Sequence, residues 1–171
     1  GSFYASNITA CAVVARECGV TPAQIVRSCE ELQPLPKTMS PIPGLNGSLF
    51  IDDTFNNNPD AALAAIDFLA TTKGKMMLVF QPMIELGKYA SESHRTVGAY
   101  AATICSDIFL TNDNFYEPFI AGVRSVKSVC RVHKVSAENA VSYLKLNLSK
   151  GDTVLFKGKE AARILDMCSR P

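Results

Sequence analysis

The sequence has no tryptophan and only two histidines, and its 17 basic residues exceed its 16 acidic ones by one. A net charge of +1 provides no global field to hold a phosphate backbone or an anionic membrane surface, so neither nucleic acid nor membrane is an expected partner. No uninterrupted apolar run approaches the roughly 18 residues of a spanning helix, and the N-terminus lacks the basic and apolar regions of a signal peptide. A cytoplasmic location is therefore expected. Six cysteines (Cys11, Cys18, Cys29, Cys105, Cys130 and Cys168) are scattered, without a CxxC or a Cys/His cluster, so zinc spacing is absent and no metal site is expected. They are expected to be buried thiols, because disulfides would need an oxidising compartment. Neither GxxxxGKS/T nor GxGxxG occurs. Lys73-Gly74-Lys75 and Lys157-Gly158-Lys159 lack the glycine-rich approach that lets backbone N–H groups surround a phosphate. If the chain handles ATP, it holds only part of it.

What is present is a globular composition: 171 residues, 47% hydrophobic and 19% charged. That length suggests one domain, with room for a fragment of another at one end, and enough chain to bury a real core. The opening Gly1-Ser2 resembles a cloning remnant, which suggests a cut chain.

From Phe3 to Cys18 small and apolar residues suit a closely packed helix that stops at Gly19. Thr21 can cap a second helix with Pro22 at its first position, running to about Leu32. Four prolines and two glycines between Gln33 and Gly47 (Pro34, Pro36, Pro41 and Pro43 among them) are expected to forbid a regular element and to mark a boundary. Beyond it, short β-branched or apolar runs at Ser48-Asp52, Lys75-Phe80, Asp107-Thr111, Val129-Val132 and Thr153-Phe156 alternate with amphipathic stretches. Helices are predicted at Pro59-Ala70, Ser91-Ile104, Tyr116-Val126, Ala137-Leu148 and Lys159-Cys168. This alternation predicts an α/β fold, a mostly parallel Rossmann-like sheet with helices on both faces, preceded by an αα-hairpin.

Such a sheet binds ligands beyond the carboxyl ends of its strands, and the polar segments of this chain lie there. They are Asp52-Asp53 with Thr54 to Asp60, then Gln81 to Gly87, then Asn112 to Glu117, then Lys157-Gly158-Lys159. An ionised Asp53 offers two acceptor oxygens to a vicinal diol, and Asn56, Asn57 and Asn58 carry both donors and acceptors; both features also belong to ordinary Asx turns. Lys157 offers a point charge or is simply a solvated strand end. His94 and His133 are expected to be structural, since no nucleophile elbow or triad can be assembled. No catalytic residue is assigned.

Taken in order, Ile51-Asp52-Asp53-Thr54-Phe55-Asn56-Asn57-Asn58-Pro59-Asp60, then Met83-Ile84-Glu85-Leu86-Gly87-Lys88 with His94-Arg95-Thr96-Val97-Gly98, then Gly151 to Gly158, resemble one family, the Mur ligases. The likeness is greatest to the members that add D-alanyl-D-alanine, whose pattern runs DDSYNANP, GDMLELGE, HxxVG and GDxVLxKGS. It covers the whole chain. It implies that residues 1–36 are the helical tail of a central ATPase domain, and that residues 37–171 are a C-terminal domain that binds the incoming amino acid or dipeptide and closes over ATP.

The implied reaction is ATP-dependent amide formation in peptidoglycan precursor synthesis. It transfers the γ-phosphate to a carboxylate, and an amine then attacks the acyl phosphate. The implied partners are a UDP-MurNAc-peptide, a D-amino acid dipeptide, and the N-terminal and central domains. ATP and magnesium would be shared with the central domain, so this piece alone is not expected to be active. By the same resemblance Asp53 matches an acid that contacts the ribose, with Asn56 and Asn58 beside it. Asn7 matches the second asparagine of HNxxNA, whose first positions are here Phe3 and Tyr4. Lys37 stands near the missing arginine of PGRM, in Pro36-Lys37-Thr38-Met39. Glu85, Asn114, Tyr116 and Lys157 fall at substrate-facing positions. Thr111 to Pro118 is also similar to the TxDNPRxExP signature of the diaminopimelate or lysine-adding members, but Phe115-Tyr116 replace its Pro-Arg, so that specificity is not carried over. Gln81-Pro82 replaces Gly-Asp, and Lys159 replaces serine. These departures leave open a noncatalytic binding or scaffold domain derived from such a ligase.

Overall fold

The computed structural model describes residues 3–33 and 35–169, without the side chains of Phe3 and Tyr4; Gly1-Ser2 and Pro34 lie outside the described residues. The chain divides into two compact units, Gly1–Leu35 and Pro36–Pro171.

The first unit is an αα-hairpin. Helix α1 (Phe3–Glu17) ends where Gly19 takes φ +88°. The Val20 and Gly19 amides turn back to the carbonyls of Ala15 and Arg16, the paired bonds of a Schellman cap that only a residue tolerant of positive φ closes cheaply. Helix α2 (Pro22–Glu30) starts in a capping box between Thr21 and Gln24, with Pro22 in its first turn as the sequence predicts. None of the α2 residues is buried, and Val13, Val14 and Val26 are among the large apolar side chains left exposed. For the same reason Cys11, Cys18 and Cys29 are exposed, which corrects the expectation of six buried thiols. Two paired helices supply no interior for them.

In the second unit the strands are β1 (Ser40–Pro43), β2 (Leu49–Asp53), β3 (Met76–Phe80), β4 (Asp107–Leu110), β5 (Arg131–His133) and β6 (Thr153–Lys157). They form one sheet in the order β1-β2-β6-β3-β4-β5. Every neighbouring pair is parallel except β1 with β2. The prolines of the 33–47 segment do not forbid β1, contrary to expectation. Pro41 and Pro43 alternate with Ser40 and Ile42, so both missing N–H groups fall on the side of this edge strand that has no neighbour.

Strand residues alternate cleanly between the two faces. Ile51, Leu78, Phe80, Ile108 and Leu155 pack beneath α3 (Pro59–Ala70), α4 (Ala90–Ile104) and α5 (Tyr116–Arg124). Phe50, Met77, Val79, Phe109, Val154 and Phe156 meet α6 (Ala137–Asn147) and α7 (Ala161–Ser169) on the other face. Each fully buried side chain of this kind contributes about 1.5–3 kcal/mol relative to exposure. Because β2 and β3 lead into helices on one face while β6 leads into α7 on the other, the chain parts around β6, and a crevice opens at the carboxyl edge there. No described helix is long and apolar enough to cross a membrane.

Candidate functional site

Four loops meet at the carboxyl edge, and hydrogen bonds join them into one rim. The Asn57 amide donates from Nδ2 to the Gln81 carbonyl at 2.6 Å. Gln81 Oε1 accepts the Glu160 N–H at 3.0 Å. The Glu160 carboxylate in turn accepts from Thr111 Oγ1 and Asn112 Nδ2, each at 2.7 Å. The Gly158 N–H reaches the Asp53 carbonyl at 3.1 Å. Loops after β2, β3, β4 and β6 are thereby fixed to one another, as the strand-helix alternation predicts.

Above this rim lies a groove of about 790 Å³ lined by Lys37, Phe55, Asn56, Asn58, Glu85 and Lys159, with Thr54, Asn57, Ile84 and Leu86 completing it. Local sequence explains its walls. Thr54 folds onto Asp52, donating to Oδ1 from N–H at 3.1 Å and Oγ1 at 2.6 Å, an Asx turn that ends β2. Asn58 caps α3 by accepting the Ala61 N–H at 2.9 Å, ahead of Pro59. The loop between them carries Phe55 and Asn56 at the surface, and Phe55 is 54% exposed.

The opposite wall is held by His94. This ring is fully buried; Nε2 accepts the Met83 N–H at 2.9 Å and Nδ1 faces the Ala90 carbonyl at 2.6 Å. An acceptor at Nε2 and a donor at Nδ1 define a neutral tautomer. Burial holds its pKa below the ordinary value, against the opposing pull of the Ala90 carbonyl. Phe115, itself left-handed at φ +55°, stacks on the ring at 4.5 Å. So His94 is structural, as expected, and it fixes the 83–87 loop that carries Glu85.

Among the described residues, three of the five non-glycine residues with positive φ lie in or beside this groove, Asn46 and Phe115 being the others. Lys37 (φ +60°), Met39 (φ +49°) and Glu85 (φ +62°) all sit in its walls or directly behind them. Such conformations cost about 1–3 kcal/mol each and persist where the surroundings over-determine them, which is common at binding sites.

The other anticipated residues are distributed differently. Asp53 and Lys157 do not line the groove but form an ion pair beneath it, Nζ to Oδ2 at 2.6 Å, with side chains only 7% and 3% exposed. Lys157 is therefore the last residue of β6, buried, and not a solvated strand end. Asn114 is exposed on the loop after β4, and its N–H bonds Asn112 Oδ1 at 2.9 Å. Tyr116 is half-buried against the core, with the Lys134 ammonium 5.3 Å from its ring centre. Neither Asn114 nor Tyr116 lines the groove. Asn7 is exposed on α1, in the first unit.

Of the residues that tie the rim together, Gln81 is marked in the sequence only as a departure from the family's Gly-Asp and Asn112 only as part of the segment after β4, while Glu160 has no signal beyond following β6. Away from the groove, Asp107 at the start of β4 is fully buried and accepts from Arg131, His133, Tyr143 and Ser106 at 2.7–3.1 Å. Burial alone would raise its pKa, but those donors together hold it below the usual carboxylate value. Burial pushes the Cys130 and Cys168 thiols up to about 11, so neither is a poised nucleophile.

Chemically, the groove offers two ammonium groups, one carboxylate, asparagine amides and an apolar edge, a set suited to a small polar ligand with an anionic group. Among the described residues no group of three or more His, Cys, Asp or Glu side chains could hold a metal ion.

Comparison with known proteins agrees with this architecture. Residues 39–160 match the family described as Mur ligase, glutamate ligase domain. A UDP-N-acetylmuramoyl-tripeptide--D-alanyl-D-alanine ligase of Synechocystis is 33% identical over 116 residues, covering 66% of this chain and 25% of the relative. The enzyme of the same description from Haemophilus influenzae is 25% identical over 167 residues, 98% of this chain and 36% of its own length. Among solved structures, the MurF ligase from Thermotoga maritima in complex with ADP superposes with a TM-score of 0.71 at 28% identity, over 94% of this chain and 36% of that one. MurF from Acinetobacter baumannii shares the fold at a TM-score of 0.79 over 98% of this chain and 37% of its own, at 24% identity. The chain thus spans about a third or less of the length of these relatives. With the family match covering the sheet and its rim, this chain belongs to the Mur ligase family.

Proposed function

We propose that the chain is the C-terminal substrate-binding and nucleotide-closing domain of an ATP-dependent amide-forming ligase, one that adds an amino acid or dipeptide, D-Ala-D-Ala above others, to a UDP-MurNAc-peptide in peptidoglycan precursor synthesis. The observation that carries this reading is the groove at the carboxyl rim. It places Lys37, Lys159, Glu85 and Asn56 together, at or beside the segments that match the family pattern. Helices α1 and α2 are proposed to be the tail of the central ATPase domain, which accounts for the absence of buried residues in α2.

The residues present fit a nucleotide. The ammonium groups of Lys37 and Lys159 suit phosphate oxygens, acting as point charges where an arginine would give a planar fork. ATP, when bound, supplies the phosphoryl group that activates the acceptor carboxylate. Magnesium is proposed to be held by the phosphates and by residues outside this chain. Within the chain, Glu85 faces a ligand amine or hydroxyl, and Asn56 and Asn58 border the polar wall. The protein's own contribution here is binding, orientation and exclusion of water, not proton transfer.

Titration by calorimetry with ADP and with D-Ala-D-Ala tests the binding role. Phosphate release by a longer protein carrying this segment, given ATP, UDP-MurNAc-tripeptide and D-Ala-D-Ala, tests the activity. Binding of either ligand at the groove with turnover in the longer protein is the expected result. The replacement of Gly-Asp by Gln81-Pro82 favours one second reading, a noncatalytic ligase-derived binding or scaffold domain, because Gln81 is built into the rim network. Binding without any turnover would select that reading.

A further inference from the structure

The ion pair beneath the groove gives Asp53 and Lys157 a different task from direct contact with a ligand. Both oxygens of Asp53 are engaged: Oδ1 accepts the Met39 N–H at 3.2 Å and Oδ2 meets the Lys157 ammonium at 2.6 Å. Lys157 also donates to the Asn56 carbonyl at 3.0 Å. The two residues lie opposite each other in the β2–β6 register and are both buried. A sugar diol approaching these oxygens would meet a carboxylate that is buried and already partnered on both atoms.

What the pair holds is informative. Met39 belongs to the turn of 37–39, where Lys37 and Met39 both have positive φ. Asn56 belongs to the loop of 54–58 on the groove wall. A second tie, Phe55 N–H to the Lys37 carbonyl at 2.9 Å, joins the same two segments. One buried charge pair therefore fastens the end of β6 to two wall segments, one of them strained, and sets where Lys37 and Asn56 stand.

We propose that Asp53 and Lys157 are positioning residues: their ion pair shapes the groove by pinning the 37–39 turn and the 54–58 loop, and ligand contacts are made by the residues that line the groove. This rests on the reading that the groove takes the nucleotide or amine substrate of a ligase.

The test is an NMR titration of the isotopically labelled chain with ADP, 2′,3′-dideoxy-ADP and D-Ala-D-Ala, combined with amide hydrogen exchange. The variants are Asp53→Asn, Lys157→Met and Lys157→Arg. Asp53→Asn keeps the side-chain shape and an acceptor for Met39 while removing the charge. The expected result is that Asp53→Asn weakens ADP and dideoxy-ADP by the same factor, about five- to tenfold. Exchange at Met39 and Phe55 should quicken in Asp53→Asn and Lys157→Met, with β3 and β4 still protected, while Lys157→Arg stays within about twofold of the parent. If Asp53→Asn instead erases a preference for ADP over dideoxy-ADP and leaves Met39 protected, Asp53 is a direct ribose contact and the proposal is overturned. If no ligand shifts any groove residue of the unaltered chain, the ligase reading fails. Exchange then decides the positioning role alone, and unchanged protection at Met39 and Phe55 overturns it.

Discussion

His94 accepts the Met83 N–H on one ring nitrogen and faces the Ala90 carbonyl with the other, so one buried side chain fixes the loop after β3 to the first turn of α4. Replacing it with leucine strands a buried amide without a partner. The cost should be about 2–4 kcal/mol, read as a lower urea midpoint at unchanged slope.

The same histidine sets a pH dependence. Its folded pKa lies below its ordinary value of 6.5 because burial disfavours the charged ring. The unfolded chain thus takes up the proton first, and its contribution is complete above about pH 6.5 and lost as pH falls from there towards the folded pKa. Urea midpoints measured from pH 8 down to pH 5 should decline across that interval, and His94→Leu should be flatter. A parallel decline in both proteins would refute the assignment to His94.

Asp107 gives a second, more acidic step. Its donors depress its pKa despite burial, so its contribution is present above the unfolded carboxylate value and is lost only as pH falls through the depressed folded one. Asp107→Ala removes the carboxylate that accepts from Tyr143 and His133, while Ser106 keeps the Met76 carbonyl within reach. Arg131 is 65% exposed and returns to water, so the loss is smaller than for a fully buried pair, about 2–3 kcal/mol. Thermal unfolding at neutral pH measures it, and β5 should show the earliest loss of amide protection.

Helices α4 and α5 approach through two glycines, and that closeness is testable. A Cβ on Gly98 would collide with the Phe119 backbone, and one on Gly122 with the backbone of Arg95. Neither obstacle is a flexible side-chain end. Either alanine substitution should force the helices apart and cost about 3 kcal/mol or more, among the larger single-residue effects expected in this chain. Soluble expression with an unchanged melting temperature would contradict the close packing.

Legibility in the sequence followed the physical source of each feature. The parallel strands were visible because burial on both faces makes them continuous apolar runs, as in Met76–Phe80. The caps at Thr21 and Asn58 were visible because capping is a local bond between near neighbours. Strand β1 was hidden because proline argues against a strand until its edge position is known. The Asp53–Lys157 pair joins residues 104 positions apart by strand register (157 minus 53), and no local pattern encodes β6 lying between β2 and β3. Strand-end position marks each residue separately; only the register shows that they face each other.

Gly158 offers the sharpest test of the rim network. It sits at φ +91°, where a side chain costs about 1–2 kcal/mol from backbone strain alone. A Cβ there would also lie 2.7 Å from Gln81 Cβ and 2.9 Å from Gln81 Oε1. Gly158→Ala should therefore cost more than the backbone penalty, about 2–4 kcal/mol in total. Gln81→Gly removes the obstacle but also the acceptor of the Glu160 N–H, so by itself it should cost about 1 kcal/mol. In the double variant the collision is gone while the strain and the lost bond remain. The combined cost should fall short of the sum of the singles by roughly 1 kcal/mol or more, measured as a double-mutant cycle in urea. Strict additivity would mean that Gln81 does not press against Gly158, and that the loops after β3 and β6 are less tightly joined than their hydrogen bonds indicate.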